Sequence, residues 1–342
     1  MINNDKGGKK TNLYICHTAY HLLITLIKVL NSQERNELML CQTCLLDAET
    51  VRKVQESNIF QRVILYENID TYTSELDLRT NIFTRSRILK QRVKCRFNTD
   101  SLKNKEIFIF NDVTFVGKTL NIFRIKYNLI EDGLDCFKNT IFLNCVDKKN
   151  NFRETIKLIM GISIRNYGRS FYTKTIEVND GNGILLNKPR KIRIVPRNEL
   201  FGNLSEFQRD SIVNIFFEKS DLEYLHSLNL EDSCMLITQP LSEDELISEE
   251  EKVKLYKYLI ETYGTSRIYI KVHPRDLTDY QEKFPECEIL KLKKCPLEVF
   301  SFVEGFHFKK VITAFSTAVQ SISYCDEKII MGQEWVQKFC KG

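Results

Sequence analysis

Short apolar runs rich in β-branched and aromatic residues punctuate the chain at residues 12–16, 38–41, 63–66, 107–110 and 127–130. They return at 235–238, 267–272, 311–314 and 328–331. Between many of them the polar and apolar positions switch to a helical period with charged faces; residues 249–261 (EEEKVKLYKYLIE) are the clearest example, and a helix is expected over 20–30. Strands alternating with helices predict parallel sheets covered by helices on both faces. Turn residues cluster at Asn179-Asp180-Gly181-Asn182-Gly183 and divide the pattern into five strands before and four after. The expectation is an α/β protein of two Rossmann-like domains, 1–180 and 181–342, with a linker over about 179–232 and a central cleft for a nucleotide-linked ligand. No GxGxxG and no GxxxxGK[ST] occurs, so the dinucleotide and P-loop readings lack their fingerprints.

Composition narrows the function classes. Hydrophobic content of 43% and charged content of 28% over 342 residues are those of an ordinary globular protein. A net charge of +5 is too mild for a nucleic-acid binder, and no aromatic-interleaved basic stripe supports one. It suits anionic nucleotides or contact with an anionic membrane face. The eleven cysteines are odd in number and irregular in spacing, which favours a reduced, cytoplasmic chain over a disulfide framework. Cys41-Gln42-Thr43-Cys44 has no second pair near it and reads as a strand-end pair. The polar N-terminus predicts no signal peptide, and the apolar stretch 22–30, interrupted by Lys28, is too short to cross a bilayer.

The candidate chemistry sits where strands end. Lys271-Val272-His273-Pro274-Arg275 closes one run with a histidine among cations, a set suited to a phosphate that gains charge as it leaves. Glu131-Asp132-Gly133 closes another. Mutual repulsion of the two carboxylates is expected to raise the pKa of one toward general-base use, and Gly133 to allow close backbone approach. Ser316-Thr317 is expected to start a helix whose free N–H groups hold an anion. Gln239-Pro240-Leu241-Ser242-Glu243-Asp244-Glu245 follows a further strand and carries three acids, read as the first turn of a helix. His17-Thr18-Ala19-Tyr20-His21 occupies the first strand-to-helix turn, where His17, Tyr20 and His21 could grip a sugar. Its HxxxH spacing lacks an acidic third ligand nearby, so no metal is expected. Taken singly, each motif is also satisfied by a turn, a half-buried histidine or a plain helix cap. Together they point to a transferase with an anionic leaving group.

The Tyr14-Ile15-Cys16-His17-Thr18-Ala19-Tyr20-His21-Leu22 opening, Glu131-Asp132-Gly133, Gln239-Pro240-Leu241, His273-Pro274 and Ser316-Thr317 resemble, in that order, glycosyltransferase family 52, which includes lipooligosaccharide and capsule sialyltransferases. The resemblance spans about residues 12–330. It implies a GT-B fold and an inverting, metal-independent transfer of sialic acid from CMP-sialic acid to a terminal galactose-type sugar, with no cofactor beyond that donor. It implies Asp132 as the base, His273 as binder or acid for the leaving phosphate, Ser316 and Thr317 as phosphate holders, and Pro274 as the residue fixing the histidine. Family precedent also places a base shortly after the first strand of the second half, here Ser242-Glu243-Asp244, so Asp244 competes with Asp132. The expected partners are a nucleotide-sugar donor and a glycan acceptor, with no nucleic acid. A cytoplasmic protein is expected, and peripheral contact with the inner membrane and a homodimer stay open. The other readings are a GT-B transferase with a different nucleotide-sugar donor and a catalytically inert sugar-binding protein of the same fold.

Overall fold

In the computed structural model, the residues described are 10–41, 44, 46–66, 82–96, 98–133, 156, 166–184, 189–291 and 295–341. The chain divides into two compact units, Met1–Ser205 and Glu206–Gly342. The boundary expected at 180/181 lies before this division, and the stretch 179–232 expected as a linker holds the strand Ile192–Ile194 and the helix Arg197–Gly202 of the first unit.

The first unit holds β1 (Thr11–Cys16), β2 (Asn36–Cys41), β3 (Arg62–Tyr66), β4 (Lys105–Ile109), β5 (Tyr127–Ile130), β6 (Thr173–Val178) and β7 (Ile192–Ile194). They form one sheet in the order β3-β2-β1-β4-β5-β6-β7, parallel throughout. Its helices are α1 (Ala19–Leu30), α2 (Ala48–Glu56), α3 (Ile82–Arg96), α4 (Phe115–Ile122) and α5 (Arg197–Gly202). The reading from sequence missed β6 and β7. Lys174, Thr175 and Glu177 interrupt the apolar run of β6, and β7 is three residues long at the sheet edge with Arg193 and Ile194 exposed. In α1, Leu22, Leu23, Ile24, Leu26 and Ile27 are fully buried. Each contributes about 1.5–3 kcal/mol of hydrophobic stabilisation, which fixes the helix behind the strand ends.

The second unit holds β8 (Ser233–Ile237), β9 (Arg267–Lys271), β10 (Glu288–Ile289), β11 (Phe308–Thr313) and β12 (Cys325–Ile330), ordered β10-β9-β8-β11-β12 and again parallel. Around it lie α6 (Glu206–Phe216), α7 (Lys219–Ser227), α8 (Glu249–Tyr263), α9 (Tyr280–Lys283) and α10 (Gln333–Lys341). One side of this sheet packs Cys234, Leu236, Ile270 and Ile312 against Leu255, Tyr256 and Leu259 of α8. In each sheet the strand order reverses direction beside the first strand, between β1 and β4 and between β8 and β11. Ligand-binding loops of open α/β sheets gather at the carboxyl ends there.

Two expected helix starts are displaced. α8 begins at Glu249, because Ser248 and Glu251 form a capping box there; Asp244 therefore lies in the preceding turn and gains no helix dipole. After Ser316 the chain makes a single 3-10 turn, Thr317–Gln320, and Ser316 gives it no side-chain cap. Only four residues separate this turn from β12, which leaves no room for an α-helix. The described residues include no helix long and apolar enough to cross a membrane.

Candidate functional site

In the first unit, Asp132 lies just past β5, next to the end of β4 and one strand from the end of β1. Thr18 caps α1 by accepting from the His21 backbone N–H at 3.2 Å, which sets the ring of His21 in the first turn. His21 Nδ1 accepts the His17 backbone N–H at 3.1 Å, so its proton sits on Nε2 and is donated to Asp132 Oδ1. The imidazole stacks on Phe110 at 4.3 Å between centroids and 6° between planes. Asn111 Nδ2 donates to Asp132 Oδ2 at 3.0 Å.

The Asn111 turn is itself anchored. Asp112, fully buried, accepts from Tyr127 OH at 3.0 Å and from the backbone N–H groups of Tyr167 and Gly168 at 2.6 and 3.0 Å. Gly117 packs directly on the Asp112 backbone; a β-carbon there would meet it at 2.5 Å. Gly117 is thus a glycine that close packing demands, whereas a β-carbon at Gly133 would meet nothing within 4 Å among the described residues.

Burial acts to raise the Asp132 pKa, but the His21 hydrogen bond and charge, Asn111 and His17 outweigh it and hold the carboxyl below its ordinary value of 3.8. The expected upward shift from Glu131 does not arise. Glu131 turns inward, buried, and its Oε2 accepts the Asn179 N–H at 2.7 Å. Exposure separates the members of this group. The Asp132 side chain is 38% exposed and His21 only 1%. His17 is also buried, and burial together with His21 lowers its pKa from 6.5 to about 4, so it is neutral at physiological pH. The sugar-gripping role expected of His17 and His21, and direct substrate contact by Glu131, are therefore not open to these buried side chains. Tyr20, in the first turn of α1, and Gly133, next to Asp132 in sequence, are half-buried.

In the second unit, the loops after β8, β9 and β11 are cross-tied. Thr238 Oγ1 accepts the His273 N–H at 3.1 Å, and Gln239 Oε1 accepts the Phe315 N–H at 2.8 Å. Gln239 therefore sets the turn that carries Ser316, while Pro240 is buried beneath it. His273 is half-buried, and its Nδ1 accepts the Arg275 N–H at 3.1 Å. The ring proton is on Nε2, which has no partner among the described residues. Burial, then Arg275 and Lys271, lower the His273 pKa against the opposing charges of Asp276 and Asp244, so the ring is neutral.

The cationic loop expected here is weaker than its sequence. Arg275 is spent in a two-point ion pair with Asp244, at 2.6 and 3.1 Å. Lys271 is buried, which lowers its pKa, and has no partner among the described residues. Ser316 is half-buried and Thr317 exposed, with the Ser316 N–H reaching back to Thr313 Oγ1 at 3.4 Å. Pro274 follows the histidine at the strand end. Sequence reasoning missed Asn111, whose only signal is its place after a strand, and Lys252, described below. Among the described residues no group of three or more His, Cys, Asp or Glu could hold a metal ion.

The model of Glycosyltransferase family 52 matches residues 53–333. A Haemophilus influenzae protein of uncharacterized function is 37% identical over 137 residues, covering 36% of this chain and 44% of that protein; the match thus spans less than half of the relative. Among solved structures, the Methanocaldococcus jannaschii UDP-GlcNAc 2-epimerase in complex with UDP-GlcNAc and UDP superposes with a TM-score of 0.53 at 12% identity, over 98% of this chain and 91% of that one. UGT73P12 from Glycyrrhiza uralensis, complexed with glycyrrhetinic acid 3-O-monoglucuronide, gives a TM-score of 0.50 at 10% identity, over 92% and 74% of the two chains. At these identities the likeness is one of fold: α/β, with the two Rossmann-like units of GT-B proteins.

Proposed function

The chain belongs to glycosyltransferase family 52, and we propose that it transfers sialic acid from CMP-sialic acid to a terminal galactose-type sugar of a bacterial surface glycan, inverting the anomeric centre. The observation that carries this reading is a half-exposed carboxylate, Asp132, held by two buried-side donors, His21 and Asn111. In this reading the first unit serves the acceptor and the second the nucleotide sugar.

The bond between the sialyl anomeric carbon and the phosphate oxygen breaks, and one to the acceptor oxygen forms. The acceptor proton passes to Asp132. His21 Nε2–H holds the carboxylate's other lone pairs in place and, with both ring nitrogens engaged, cannot take the proton itself. A depressed pKa makes Asp132 a weak base, which suffices because the acceptor hydroxyl becomes strongly acidic once its oxygen bonds to an oxocarbenium-like centre. CMP departs with a new negative charge. The neutral Nε2–H of His273 donates to that phosphate, and the backbone N–H groups of the turn from Thr317 onward add donors. A donating neutral histidine fits the lowered pKa better than an acid does. Tyr20, Gly133 and Thr317 then border the substrates, while Gln239, Pro240 and Pro274 shape the loops that hold them.

A donor screen with purified protein tests the reading. CMP release from CMP-sialic acid, faster with a galactose-terminated acceptor, is expected and should persist in excess EDTA. Turnover of a different nucleotide sugar, with CMP-sialic acid left intact, would replace the donor. No turnover of any donor would leave a sugar-binding protein.

A further inference from the structure

Lys252 lies in the first turn of α8, in a run whose charges look solvent-facing, yet its side chain is 0% exposed. Lysines normally keep the ammonium in water, and a buried one requires partners. Its Nζ meets Glu249 at 2.9 Å, Asp276 at 3.1 Å and both oxygens of Glu243 at 3.1 Å. These carboxylates come from three segments: α8 itself, the loop after β8 and the loop after β9.

Each also grips the loop that begins at His273. Glu243 Oε1 accepts the Leu277 N–H at 2.7 Å, Asp276 Oδ1 the Thr278 N–H at 3.2 Å, and Glu249 Oε1 the Thr278 hydroxyl at 2.7 Å. Asp276 Oδ2 accepts from Tyr280 OH at 2.8 Å, and the Asp276 N–H returns to the His273 carbonyl at 2.9 Å. The loop after His273 is therefore held through three carboxylates that share one ammonium. Lys252 and Asp276 are fully buried in this cluster while Glu249 reaches solvent, so removing one partner leaves a buried charge uncompensated and frees the segments the cluster joins.

We propose that Lys252 is a positioning residue for transfer: through Glu243, Glu249 and Asp276 it fixes the His273 loop so that Nδ1 stays on the Arg275 N–H and Nε2–H is presented to the leaving phosphate. The proposal rests on the role of His273 given above. It adds a residue that touches no substrate, and predicts that its loss is felt in turnover rather than in donor binding.

The test compares Lys252→Met, Glu243→Gln and His273→Ala, measuring kcat and KM for CMP-sialic acid and the ring ¹⁵N shifts of His273 in the unliganded protein. The wild type should show a single Nε2–H tautomer. In Lys252→Met a mixture of tautomers is expected, with kcat down about 10–100-fold, as for a small misplacement of a reacting group, and KM nearly unchanged. Glu243→Gln, which leaves Lys252 with two carboxylates, should change both in the same direction by less, and carries the test if Lys252→Met fails to fold. A folded Lys252→Met or Glu243→Gln with wild-type tautomer and kcat overturns the proposal while His273→Ala remains inactive. An active His273→Ala overturns the reading of His273 and this proposal with it.

Discussion

Two aspartates compete in this molecule for one task, and their surroundings separate them. Asp132, in the first unit, is gripped by an imidazole N–H on one oxygen and an amide N–H on the other. Asp244, in the second, has both oxygens on the Arg275 guanidinium. The exposures are equal, 38% for each side chain, so access does not choose between them. The partner does. A carboxylate with both oxygens on one guanidinium must break that fork to take a proton from a hydroxyl, whereas one held by a single donor on each oxygen can take it without releasing either. The Asp244 pair also offsets part of the Arg275 charge that acts on His273.

The largest effect should follow Asp132→Asn. Transfer is expected to fall by about 10³-fold, within the range for losing a general base, with CMP binding retained by calorimetry. Near-normal transfer would reduce Glu131-Asp132-Gly133 to a structural turn. His273→Ala comes next, with roughly 10²-fold lower kcat for loss of one donor to developing charge. Activity within a few-fold of wild type would remove His273 from the site.

His21→Leu should cost about 10-fold, since it removes an orienting hydrogen bond while filling the same space. It also has a pH signature. With His21 gone, its hydrogen bond and charge no longer hold the Asp132 pKa down and the pKa rises, so the acid-side loss of kcat/KM should move to higher pH. An unmoved acid limb would mean that another group is the base. Asp244→Asn should have the smallest effect, a few-fold at most, seen mainly in KM for the donor as Arg275 is released.

The strand ends were legible because each apolar run stops at a polar motif, and in a parallel sheet such ends fall on one side. Adjacency of the motifs within each unit follows from the strand orders β1-β4-β5 and β9-β8-β11. Their partners were not legible. His21 is 111 positions from Asp132 and Asn111 is 21, separations at which only the fold decides contact. Nor does charge pattern along a helix reveal that Lys252 points inward, because the acids that draw it there come from other loops. The Ser316-Thr317 turn misled for a local reason: the four residues between Gln320 and β12 truncate the helix that its hydroxyls seemed to cap.

The most direct test of Asp132 as base supplies a nucleophile that needs none. CMP release from CMP-sialic acid by Asp132→Ala and Asp244→Ala would be followed with and without azide. Asp132→Ala is predicted to be nearly inert alone and to release CMP with azide, yielding the inverted sialyl azide, while Asp244→Ala shows no azide dependence. Azide rescue of Asp244→Ala, with none for Asp132→Ala, would contradict the account and move the base to the second unit.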